Sequence, residues 1–156
     1  MIRRATTLAA LAALFFLRNA DCDAPSIDSK PLAEFVASTA LKSAGKSTEG
    51  TLVARYESRE EREPSQVWLW EKGKLRDGSR KDLERAFGND RKKWPPYTLL
   101  YSVSPGGAGR YEVEVSIHYD MGLFPESRGG YSERWTIAQE KGNWVVLDKE
   151  TTLHWD

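Results

Sequence analysis

The amino-acid sequence predicts an α+β fold: an N-terminal helix and a short second helix packed on a curved antiparallel sheet. Three observations carry the expectation. Apolar residues recur at helical spacing in "SKPLAEFVASTALKSAG" and again in "GSRKDLERAFGND". From Tyr97 onward, "YTLLYSVS", "RYEVEVSIHYDM", "YSERWTIAQE" and "NWVVLDKETTLHW" read as strands, separated by the turn signals "PGGAG", "ESRGG" and "EKGN". Helices first and a strand meander last is the order expected when a sheet gathers its helices against it.

Taken in order, the chain opens with "MIRRATTLAALAALFFL", a basic start at Arg3 and Arg4 followed by an apolar run from Leu8 to Leu17. That is the layout of a secretory signal. The run falls short of the roughly 20 apolar residues a membrane span needs, so no transmembrane segment is expected. Small residues at Ala20 and Cys22 place the cut before Asp23 and make residues 1–22 a removed signal peptide. The charged Asp21 beside the thiol argues against lipidation of Cys22, the chain's single cysteine. The expected location is therefore periplasmic or extracellular. Residues 23–30 form a short polar linker, and residues 31–156 form one domain.

In the first helix Ser29 is placed to cap, Pro31 sits in the first turn where its missing N–H costs nothing, and Gly45 ends the helix. Leu32, Phe35, Val36, Thr39 and Ala40 make its apolar stripe. Between Thr51 and Glu57 the alternation of Leu52, Ala54 and Tyr56 favours a strand, although Leu52, Val53 and Tyr56 also fit a helical face. Val67 to Glu71 reads as a strand, and "EKGKLRDG" is rich in turn residues. In the second helix Ser79 caps, Asp82 sits where a capping box wants an acid, and Leu83, Ala86 and Phe87 face inward. Along the strand from Tyr111, the residues Tyr111, Val113, Val115, Ile117, Tyr119 and Met121 form an apolar face; Glu112, Glu114, Ser116, His118 and Asp120 form the polar one. Such alternation fits a sheet covered on one side.

Composition narrows the function classes. The formal net charge is zero, and loss of residues 1–22 removes only Arg3, Arg4, Arg18 and Asp21, so no basic field exists to gather nucleic acid. Two histidines without repeated spacing and one cysteine do not make a zinc site, and no cofactor is expected. "GGAG" after Pro105 is a turn between strands and not a phosphate loop, since no helix follows it. Six tryptophans and six tyrosines suit a core or pocket built from large rings.

The order helix, short strands with "WEKGKLRDGS", helix "KDLERAF" and long strands closing on "RWTIAQEKGNWVV" resembles the nuclear transport factor 2-like superfamily, a cone of curved sheet around helices. The local matches run from Trp68 to Phe87 and from Arg134 to Val146, with Gly142 in the turn and Trp144 opening the last strand. The layout covers residues 31–155 and departs from the family by lacking two helices between Lys42 and Val67. A cystatin-like helix-on-sheet fold is the alternative. Enzymes of that superfamily use a buried aspartate or histidine with tyrosines inside the cone; carried over to matching strands, the resemblance implies Tyr101, His118, Asp120, Tyr131 and Trp135.

Read from the residues themselves, His118 and Asp120 are the best acid/base pair, lying two apart on one strand face, but that face turns His118 outward. His154 reads as a strand-end residue. Trp68 and Trp70 read as core, whereas Trp94 and Tyr97 flank two prolines, and Phe124 and Tyr131 bound a second loop where contacts collect. Trp94, Tyr97, Phe124 and Tyr131 are thus the candidate partner-binding residues; His118, Asp120 and Tyr101 are the catalytic ones. The expected function is an exported, non-catalytic module that binds a protein, such as an inhibitor or immunity protein. A carrier or small isomerase or dehydratase that takes an apolar ligand into the cone, and a subunit that forms a homodimer through its strand face, are the alternatives.

Overall fold

The computed structural model describes residues 26–27, 29–58, 60–88, 95, 97–119 and 130–155. The elements run α1 (Lys30–Ser43), β1 (Leu52–Tyr56), β2 (Gln66–Glu71), β3 (Lys74–Asp77), α2 (Arg80–Phe87), β4 (Tyr97–Gly107), β5 (Arg110–Tyr119), β6 (Gly130–Glu140) and β7 (Asn143–Trp155). The strands form one open seven-stranded sheet in the order β3-β2-β1-β4-β5-β6-β7. The α+β class stands, but the sheet is not wholly antiparallel, because β1 runs parallel to β4. A parallel neighbour needs a long crossover, which here is the β2–β3 hairpin and α2.

Helix α1 forms as its sequence dictates. The Ser29 hydroxyl accepts from the Leu32 N–H, Pro31 lies in the first turn, and at the far end the Lys46 N–H closes back on the Leu41 carbonyl at 2.8 Å. Gly45 makes that closure possible by adopting φ +65°, a left-handed conformation that costs glycine little. The buried stripe is Leu32, Ala33, Val36, Ala37, Ala40 and Leu41. Phe35 and Thr39, expected in it, are only half-buried at its margin. At α2 the capping box is complete: Ser79 accepts from the Asp82 N–H, and the Asp82 carboxylate accepts from the Ser79 N–H at 2.8 Å. Leu83 is half-buried; the side chains of Ala86 and Phe87 lie outside the described residues.

Three hairpins close through X-Gly pairs with positive φ at both positions: Lys72–Gly73, Ala108–Gly109 and Lys141–Gly142. This is the backbone of a type I′ turn, whose twist matches that of the strands it joins. The first is fastened further, since the Glu49 carboxylate accepts from the N–H groups of Lys72 and Gly73. The expected "PGGAG" turn is therefore tighter than the motif, with β4 running on through Gly107. The edge strand β7 is interrupted by two bulges, and the one at Leu147 leaves that side chain 44% exposed. Bulges twist an edge away from pairing with another chain.

Register sorts the residues onto two faces, because paired residues point the same way. Val53, Trp68, Trp70, Leu99, Tyr101, Val113, Val115, Ile117, Trp135 and Ile137 lie beneath α1 and build the main core. Trp68 and Trp70 are core residues, as their sequence position suggested. The opposite, outer face carries Leu52, Ala54, Tyr56, Leu100, Ser102, Glu114, Ser116 and His118. Helix α2 starts on this second side: Arg76, paired with outer-face Leu69, reaches Asp82 at 3.6 Å. The two helices thus do not share one concave surface.

Candidate functional site

The outer face holds the candidate site, and its register explains the lining. One row across the sheet reads Tyr56, Ser102, Glu114 and Arg134; the next reads Ala54, Leu100, Ser116 and Ser132. A third brings Thr98, His118 and Gly130 side by side. Along these rows lies a groove of about 280 Å³, lined by Tyr56, Glu61, Leu100, Tyr101, Ser102, Glu114, Ser116 and His118. A second concavity of about 510 Å³ shares Ser102 and Glu114 with it and runs along Glu57, Ser58, Ser104, Glu112 and Arg134.

Local chemistry fixes several of these side chains. The Ser116 and Ser132 hydroxyls share a hydrogen bond of 2.9 Å. Arg134 donates to Glu114 at 2.8 Å, the Thr136 hydroxyl donates to Glu112 at 3.1 Å, and the Glu61 carboxylate accepts from the Glu57 N–H at 3.1 Å. Tyr56 is 8% exposed, and among the described residues its hydroxyl finds no hydrogen-bond partner. Burial pushes that hydroxyl up to about 12. His118 is half-buried between buried Thr98 and side-chain-free Gly130, and burial holds its imidazole below the ordinary histidine range. At neutral pH it is a neutral donor and acceptor.

The structure separates the sequence-derived catalytic candidates. Tyr101 pairs with Val115 on the α1 side, where its ring stacks on Trp68 at 6.5 Å, whereas His118 pairs with Thr98 on the outer side. The Tyr101 ring and His118 therefore turn to opposite faces of the sheet, although Tyr101 also borders the groove that His118 lines. Asp120 lies outside the described residues, as do Trp94, Phe124 and Cys22. His154 lies opposite Tyr131 on β7.

Tyr97 and Tyr131 are brought to one end of the α1 side. Tyr97 meets Tyr119 edge-on at 6.0 Å, and the Lys46 ammonium lies over both rings, 5.4 and 4.9 Å from their centres. Tyr131 packs against the core nearby; burial, then its hydrogen bond to Glu133, push its hydroxyl above the usual range. Glu133 is the residue that motif reading missed. It is 2% exposed, accepts from the Trp135 indole at 2.7 Å and pairs with the Lys149 ammonium at 2.7 Å. The signal was present in "YSERWTIAQE", where Glu133 alternates in step with Tyr131, Trp135 and Ile137 and so must lie on the covered face.

Among the described residues no cluster of three or more potential metal ligands occurs, and no helix is long and apolar enough to cross a membrane. No family model, curated protein or solved structure matches the chain.

Proposed function

We propose that the chain is an exported, non-catalytic binding module, of the inhibitor or immunity type, that holds a segment of a protein partner in the outer-face groove. Export rests on the basic and apolar N-terminal pattern of residues 1–22. The observation that carries the binding reading is the groove itself: two confluent concavities on the side of the sheet that α1 leaves open, with polar groups converging on an apolar floor of Tyr56 and Leu100. Its length along β4 and β5 suits an extended segment. A catalytic reading gains little there: His118 and Glu114 stand four residues apart on one strand, about 13 Å at strand rise, beyond direct proton transfer. One helix against a mostly antiparallel sheet supports a nuclear transport factor 2-like or cystatin-like relationship. A small apolar ligand in the 280 Å³ part of the groove is the second reading, favoured by the same floor.

The test uses protein expressed from the full sequence, as wild type, as Ser102→Trp to fill the groove, and as Leu147→Asp on the distant β7 edge. Each is incubated with envelope extract of its host. A protein recovered at fixed stoichiometry with wild type and Leu147→Asp, and lost with a folded Ser102→Trp, is the expected result. Recovery undiminished by Ser102→Trp would remove the groove from the function.

A further inference from the structure

We infer that the segment taken by this groove is cationic, a stretch of partner chain presenting lysine or arginine; the inference rests on the binding reading above. Among the described residues, four carboxylates border the two concavities, from Glu57, Glu61, Glu112 and Glu114, against one guanidinium, that of Arg134, which already pairs with Glu114. His118 adds no positive charge at neutral pH, because burial disfavours its imidazolium. Among the described lining residues the balance is thus negative, while the whole chain is neutral. Acidity alone would describe a solvated surface. A second feature points to a ligand: Tyr56 lines the groove while only 8% exposed, and its hydroxyl has no hydrogen-bond partner among the described residues. A buried hydroxyl left so costs about 1–3 kcal/mol unless something completes it. An ammonium or guanidinium supplies the matching donors, and carboxylates flanking a low-dielectric floor strengthen the attraction. Ser102 and Ser104 line the same path and offer acceptors along its length.

The geometry also sets an order of contact. Glu61 stands with Tyr56 at the first concavity, so one cationic side chain enters there; Glu57 and Glu112 border the second, where another lies along the sheet. Association should then be steered electrostatically and weaken with salt.

Three capped heptapeptides of the same glycine–valine frame, carrying three lysines, three glutamines or three glutamates, are titrated into the isotope-labelled full-length protein and followed by amide chemical shifts. The lysine peptide is expected to shift Leu100, Ser102, Ser116 and His118 and to bind at least tenfold tighter than the glutamine peptide. Raising salt from about 50 to 300 mM should cost it several-fold, and Glu61→Gln and Tyr56→Phe should each weaken it further. Equal binding of the lysine and glutamine peptides, preference for the glutamate peptide, or no shift at these amides with any of the three would each overturn the inference. Ser102→Trp distinguishes the two levels. If it still abolishes capture of the partner, only the charge inference falls; if it does not, the binding reading falls with it.

Discussion

Arg55 and Glu133 lie in one row on the α1 side of the sheet, separated only by Tyr101 and Val115, and both are buried, at 4% and 2% exposure. A charge of each sign is thus built into an otherwise apolar layer. Glu133 is answered locally by Trp135 and by Lys149, which also donates to Ser43 at 2.7 Å and so ties β7 to the last turn of α1.

Removing one member of this set leaves the other uncompensated. Lys149→Ala is expected to cost about 2–3 kcal/mol, below the range for fully buried pairs because the lysine is partly exposed; Glu133→Ala should cost about 3 kcal/mol. The double variant Glu133→Leu with Lys149→Met should fall well short of the sum. Urea unfolding of the three proteins measures this.

Asp82 stabilises α2 through a carboxylate that burial alone would raise. The Ser79 N–H and hydroxyl, with Arg76 and Arg85, outweigh that and hold it below the ordinary aspartate range. Its contribution is therefore complete above about pH 4 and is lost as pH falls through the folded-state value. Asp82→Ala should cost about 1 kcal/mol at pH 7 and much less at pH 2, read by denaturant midpoints at the two pH values.

Tyr56 gives the opposite pH signature. With its hydroxyl pushed up to about 12, its contribution is intact below about pH 10 and disappears as pH rises toward 12. Tyr56→Phe should leave stability at pH 7 unchanged or slightly higher, since it deletes a buried hydroxyl with no partner among the described residues, and should flatten the alkaline decline. A thermal-melt series from pH 7 to 11 on both proteins checks the sign.

Gly78 joins β3 to α2 where the chain passes close over β2. A Cβ there would lie 2.7 Å from the Val67 side chain and 3.0 Å from its carbonyl oxygen, while the Gly78 N–H donates to that same carbonyl at 2.7 Å. Gly78→Ala is expected to destabilise by about 1–3 kcal/mol through this overpacking, and Gly78→Ala with Val67→Ala to recover part of the loss. Chemical denaturation of the pair decides it.

What was legible in the sequence was local. Ser29, Pro31 and Gly45 mark α1 because capping chemistry lies within a few residues; Ser79 and Asp82 mark α2 for the same reason. The alternation from Tyr111 to Tyr119 gave both faces of β5 and put His118 on the face away from α1, but not its half-burial in a groove. The parallel pairing of β1 with β4 was not legible, because Val53 and Leu99 are brought together by a crossover with no local signature. That pairing is what sets Tyr56 beside Ser102 and so creates the groove. Polar alternation on β5 showed Glu112, Glu114, Ser116 and His118 as a face; only the neighbouring strands make it concave.

The central claim is that the partner lies on the outer face between Tyr56 and His118. The most direct measurement places a photo-reactive benzoylphenylalanine at Ser104, beside the groove, or at Lys74 on the β3 edge, and irradiates each protein in its host envelope. One cross-linked protein species is expected from position 104, suppressed by adding Ser102→Trp, and none from position 74. Cross-linking from position 74 with none from position 104 would contradict it.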